Sequence, residues 1–208
     1  MVALFCTAAG AQTRQAKLRP VDEAGRDPSF LEFRSRLIEA VARRDADFVM
    51  GVLEPNILVD FGGGHGPGAF REHWKLDRPE ASELWDQLGR VLALGGRFQG
   101  EGEDRQFWAP YVFDFPPGFD GFEFGAILGS GVRARVQPDE QAAVVARLSF
   151  DVVQMEHPAD GADWVRITTP DGQKAYVARR LIRSPIDYRA AFKRVGGRWV
   201  MRALVAGD

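Results

Sequence analysis

Residues 163–177 read DWVRITTPDGQKAYV. Apolar and polar residues alternate on both sides of Pro170-Asp171-Gly172. That tripeptide favours a tight turn, because Asp and Gly tolerate the backbone it needs. The stretch therefore predicts a β-hairpin, 163–168 against 173–177. Strand patterns continue on either side. Residues 132–136, 142–148 and 151–155 precede the hairpin, and 178–182 is a short closing segment. Further on, 188–194 and 198–205 flank Val195-Gly196-Gly197, a second hairpin with a glycine turn. From Gly125 onward the chain reads as all-β.

The first half reads differently. Asp27-Pro28-Ser29 is a helix start, with an Asp to cap and a Pro suited to the first turn. Phe30, Phe33, Leu37, Ala40 and Val41 then recur at helical spacing, predicting a helix over 30–44. Asp45 caps a second, short helix reaching Leu53. Pro55 ends it, and 56–61 (NILVDF) reads as a strand. A glycine-rich loop at 62–68 leads to a helix carrying Phe70 and Trp74. Another helix, from Pro79-Glu80, carries Leu84, Trp85, Leu88, Val91 and Leu92, and Gly95-Gly96 stops it. Residues 13–26 are polar and charged without an apolar period, and read as a linker. Between the halves, 107–124 is crowded with aromatics and broken by prolines. It suits a hydrophobic seam between two sub-structures, or a groove lined by rings.

Residues 131–183 resemble a bacterial SH3-like (SH3b) domain. The resemblance is carried by Val132-Arg133-Ala134-Arg135 with Pro138, by Val144-Val145-Ala146-Arg147-Leu148, by Trp164-Val165, by Asp171-Gly172, by Ala175-Tyr176-Val177 and by Leu181. It covers about a quarter of the chain. One departure is Ala175, where the family usually has Gly. The resemblance implies a small closed β-barrel that recognises peptide or cell-wall material. More weakly, residues 40–59 and 198–205 resemble the first helices and the last strand of NTF2-like cone folds. That implies a barrel inserted before the final hairpin of the first domain.

The 208 residues are 45% hydrophobic and 27% charged, which is ordinary for a globular chain and excludes collagen-like and fully disordered classes. Lys and Arg number 27 against 29 Asp and Glu, so no basic excess exists to neutralise phosphates and no nucleic-acid partner is expected. No apolar run approaches the roughly 18 residues of a membrane span. Residues 1–12 (MVALFCTAAGAQ) are apolar and uncharged. Ala9-Gly10-Ala11 has the small-x-small form of a cleavage site, although a basic n-region is lacking. The expectation is a clipped signal peptide and a periplasmic or secreted protein. Cys6, the sole cysteine, lies in that leader, so its removal would leave no thiol for disulfides, thiolate catalysis or zinc.

Catalytic signatures are sparse. Glu72-His73 has no second histidine at helical spacing, and a metal cluster from Asp60, His65 and His73 is only a geometric conjecture. The loop at 62–68 lacks the Gly-Lys-Ser/Thr of a P-loop. Gly129-Ser130-Gly131 lacks the nucleophile elbow's spacing and context. No catalytic residue, metal or cofactor is expected. The candidate binding residues are Trp164 and Tyr176 on the hairpin and Arg133 and Arg135 on one face of their strand, as parts of a peptide groove; the alternatives are core packing for the two rings and solvated charge for the two arginines.

The expected fold class is α+β: a helix-rich domain over 27–125 after a leader and linker (1–26), an SH3-like barrel over 126–184, and a C-terminal hairpin over 185–208 that either returns to the first domain or packs on the barrel itself. The expected function is a non-catalytic, exported binding or scaffolding protein, with peptide or peptidoglycan as partner. The alternative is an NTF2-like small-molecule binder or enzyme, its pocket in the N-terminal domain and lined by residues 107–124.

Overall fold

Asp27 opens the first helix by accepting the N–H groups of Ser29 and Phe30 at 3.1 and 3.2 Å. Pro28 takes the position where no N–H is required. In the computed structural model, which describes residues 15–159 and 161–207, four α-helices follow one another: α1 (Pro28–Arg43), α2 (Ala46–Gly51), α3 (Gly66–His73) and α4 (Leu84–Ala93). Twelve strands accompany them: β1 (Leu53–Leu58), β2 (Arg97–Gln99), β3 (Gln106–Ala109), β4 (Phe124–Ile127), β5 (Val132–Arg135), β6 (Val144–Leu148), β7 (Val152–Met155), β8 (Trp164–Thr168), β9 (Lys174–Ala178), β10 (Ile182–Arg183), β11 (Arg189–Val195) and β12 (Arg198–Val205). The proposed leader, with Cys6, lies outside the described residues. No helix among the described residues is long and apolar enough to cross a membrane.

The strands form two sheets, so the protein is mixed α+β. The first has the order β1-β12-β11-β3-β2, the second β10-β4-β7-β8-β9-β5-β6. Hairpin β11–β12 thus pairs into the first sheet, with β1 parallel to β12 and β3 antiparallel to β11. Strand β1 begins three residues before the expected 56–61 and contains Pro55. It tolerates the proline because it is an edge strand, where one row of N–H groups has no partner to serve.

The helices cover the first sheet with aromatic rings. Phe30 lies 4.3 Å from Phe107, 4.9 Å from Trp199, 5.6 Å from Phe98 and 5.7 Å from Phe192, ring centre to ring centre. The second sheet has its own core, with Val165, Ile167, Ala175 and Val177 facing Ile127, Ala134 and Val153. The Cβ of Ala175 is fully buried there, opposite Ile167. This sheet does not close into the expected SH3-like barrel. Its edges are β10 and β6, and no strand pairing joins them. Strand β4, next to the β10 edge, divides its apolar surface: Ile127 faces the core of the second sheet, and Ala126 packs with Leu18, Tyr111 and Val112 in a third cluster lying between the sheets.

That third cluster corrects the linker expectation. The Leu18 amide donates to the Phe150 carbonyl at 2.8 Å, and the Val152 amide to the Ala16 carbonyl at 2.9 Å. Lys17 pairs with Asp151 at 2.7 Å, Asp22 holds Arg34 through two 2.7 Å bonds, and Glu23 accepts the Phe98 amide at 3.1 Å. The charged residues of 16–26 reach partners on α1, on β2 and beside β7, a pattern without local period. The aromatic run is likewise divided. Phe107 enters the first core, Trp108 stacks on Phe113 at 4.3 Å, and Tyr111, Phe115, Phe119 and Phe124 belong to the intervening cluster.

The cap of α1 also links distant elements. The Ser29 hydroxyl donates to Asp27 at 2.7 Å and accepts from the Trp199 indole at 3.0 Å, while Arg105 reaches Asp27 at 3.0 Å. The Ser29 hydroxyl, opposed by some desolvation and aided by the Phe30 amide and Arg105, holds the Asp27 carboxyl below its usual range. A carboxyl depressed by folding contributes stability above its unfolded value, about 3.9, and loses it as pH falls through the folded value. Asp27→Ala is expected to cost about 1 kcal/mol at neutral pH. Between roughly pH 6 and pH 3, denaturant midpoints should fall more for the wild type than for Asp27→Asn. Equal losses would contradict this role.

Candidate functional site

A cleft of about 960 Å³ separates the C-terminal half of α4 from the ends of β8, β9 and β10. Gln87, Arg90 and Leu94 line the helix side. Trp164, Arg179 and Arg183 line the sheet side, and Tyr188 and His157 also border it. The volume suits a drug-sized ligand, for which roughly 300–1,000 Å³ is usual.

Trp164 reaches the cleft through strand alternation. Val165 and Ile167 point into the core of the second sheet, so Trp164 and Arg166 take its opposite face. Trp164 is half-buried there, and its sheet core is complete without it. Tyr176 shares that face, directly across from Arg166 on one side and Arg135 on the other. Arg135 donates to the Ala142 carbonyl at 2.6 Å. Arg133 is exposed one pleat repeat further along, opposite Arg147. Of the four residues expected to bind, Trp164 alone lines the cleft. Tyr176 and Arg135 are neighbours on the same sheet face outside the cleft lining, and Arg133 lies two residues from Arg135 along β5.

The cleft's electrostatics come from residues that sequence reading passed over. Arg183 pairs in register with Ala126 and is only 9% exposed. One of its terminal nitrogens donates to the Tyr188 carbonyl, while its Nε is buried without a hydrogen-bond partner. Burial pulls the Arg183 pKa below the usual arginine range. Asp187 opposes that shift, and the positive charges of Arg90 and Arg179 reinforce it. Neither Arg90 nor Arg179 has an ion-pair partner among the described residues, whereas Arg180 faces Glu140 at 3.8 Å. The only local hint was three arginines within 179–183. Arg90 comes from a helix some ninety residues earlier, beyond the reach of any short motif.

The other candidates have structural duties. His157 donates Nε2–H to the Phe122 carbonyl at 2.6 Å, and His73 Nε2 lies 3.3 Å from the Tyr188 hydroxyl. His65 precedes α3 and bridges to Leu58. The glycine-rich loop wraps a carboxylate of its own: Asp60 accepts the Gly64 amide at 3.0 Å, and a Cβ on Gly64 would lie 2.2 Å from Asp60 Oδ2. That amide, with the one from Gly62 and the charges of His73 and His65, holds Asp60 below its ordinary range despite some desolvation. Ser130 Oγ lies 3.2 Å from Ser149 Oγ. Among the described residues, no group of three His, Cys, Asp or Glu side chains could hold a metal ion. Of residues 107–124, expected to line an alternative pocket, Phe107 packs into the first core, Tyr111, Phe115, Phe119 and Phe124 pack into the cluster between the sheets, and Phe122 is exposed.

No protein-family model matches the chain, the SH3-like family included. No curated protein matches it. Among solved structures, an NTF2-like designed protein is similar at 10% sequence identity and a TM-score of 0.32, over 85% of this chain and 95% of that one.

Proposed function

We propose that this chain is a non-catalytic binding protein that takes peptide or cell-wall material into the cleft beside Trp164. The observation that carries the reading is the half-buried indole on the cleft wall, on the sheet face opposite the core. Large aromatic rings at the centre of a recognition site commonly supply most of its binding energy. The surrounding guanidinium groups supply directional donors for the ligand's carbonyl and carboxylate oxygens. Tyr176 and Arg135 continue the same face and meet the part of a longer ligand that leaves the cleft. Export to the periplasm or beyond belongs to the same proposal and rests on the composition of residues 1–12.

Retention on purified peptidoglycan tests it. The wild type should be retained, and Trp164→Ala should bind about tenfold or more weakly with an unchanged circular dichroism spectrum. Failure of the wild type to bind, or equal retention of both proteins, would overturn the proposal.

A further inference from the structure

The chemistry of the cleft goes further than its shape. We infer that it recognises a single carboxylate through Arg90, Arg179 and Arg183, with Arg183 as the buried anchor. This rests on the binding role proposed for the same cleft.

Arg183 carries the argument. A buried cation is costly unless paired and hydrogen-bonded on all sides. This one has a single backbone acceptor, at the Tyr188 carbonyl, and an Nε with none. Asp187 acts on it electrostatically but does not approach within ion-pair distance, and its Oδ2 accepts the Ser184 amide at 3.2 Å. Two further guanidinium groups, Arg90 and Arg179, add repulsion and have no ion-paired carboxylate among the described residues. Three like charges gathered around one cleft raise the energy of the empty site. An oxyanion entering it would pair with the guanidinium groups on the lining and relieve the repulsion among them. The planar guanidinium fork matches a carboxylate through two parallel bonds.

Charge sets the valence. Arg180 is matched by Glu140, which leaves three guanidinium groups facing Asp163 and Asp187 among the described lining residues. Among the described lining residues the excess is one positive charge. It suits a monoanion, such as a peptide's terminal carboxylate, better than a phosphate dianion. Trp164, on the same wall, is placed to cover the apolar part of such a ligand.

The test uses a short N-acetylated peptide with a free C-terminal carboxylate, its C-terminal amide, and inorganic phosphate. Each is titrated calorimetrically into the full chain. The acid should bind at least tenfold more tightly than the amide, and added salt should weaken it. Arg90→Gln and Arg179→Gln change exposed side chains, keep the fold, and should each weaken acid binding several-fold. Arg183→Met should weaken it tenfold or more, the usual scale for a lost charged hydrogen bond. Failure of the acid to bind, equal binding of acid and amide, or indifference to Arg90→Gln and Arg179→Gln would overturn the inference. Phosphate binding more tightly than the acid at the same arginines would overturn the carboxylate assignment. These outcomes differ from failure of the binding role itself. Peptidoglycan retention that depends on Trp164 but not on the arginines would leave that role standing and remove only the carboxylate.

Discussion

Phe30→Ala is expected to lower the unfolding free energy by about 3–5 kcal/mol. The ring is fully buried and lies within 6.0 Å, centre to centre, of five other aromatic rings contributed by α1, β2, β3, β11 and β12. Removing it takes away the transfer energy of the ring and leaves a cavity. Neighbours held by a helix on one side and a sheet on the other cannot collapse fully into that cavity. A domain of this size has roughly 5–15 kcal/mol in total, so the variant should be marginal. Its melting temperature should drop by roughly 6–20 °C, at about 2–4 °C per kcal/mol. A loss below about 1 kcal/mol would mean that the helices do not pack on the first sheet through this ring.

Gly96→Ala is expected to cost about 3 kcal/mol, although alanine adds a single methyl group. A Cβ at this position would lie 2.0 Å from the Trp108 carbonyl oxygen and 2.8 Å from a Phe107 ring carbon. The first contact is with backbone, in a strand paired on both sides, so relief requires moving β3 within its sheet. Gly89→Ala makes the contrast. Its Cβ would meet only Val41 Cγ1, at 3.7 Å, in the interior of α4. Better helix propensity should then stabilise the protein by about 0.5–1 kcal/mol. Chemical denaturation of the two variants side by side checks both signs. Equal effects would show that β3 yields to the added methyl group.

Local patterns carried much of the fold. Asp27-Pro28 announced α1, the 3.6 spacing of Phe30, Leu37 and Val41 predicted its buried face, and Asp171-Gly172 placed the turn between β8 and β9. Closure of the second sheet could not be read this way. Whether the edges β6 and β10 meet is a matter of pairing between strands more than thirty residues apart, and Ala126 on β4 packs against Leu18 and Tyr111, residues scattered through the chain. The candidate site was half legible. Alternation in DWVRIT makes Trp164 and Arg166 share one face, but nothing in those six residues says that α4 lies opposite.

By itself the amino-acid sequence determined the α-then-β order of elements, most helix starts and hairpin turns, and the alternation that sorts inward from outward residues. These depend on side chains within a few positions of one another, where steric and hydrogen-bonding preferences act directly. The tertiary structure alone decided that Gly96 presses on a carbonyl of β3, that residues 16–26 lie along the junction of the sheets, and that Arg90, Arg179 and Arg183 share one cleft. Each of those depends on groups far apart in the chain, and burial and Coulomb energy follow distance in space, not separation in sequence.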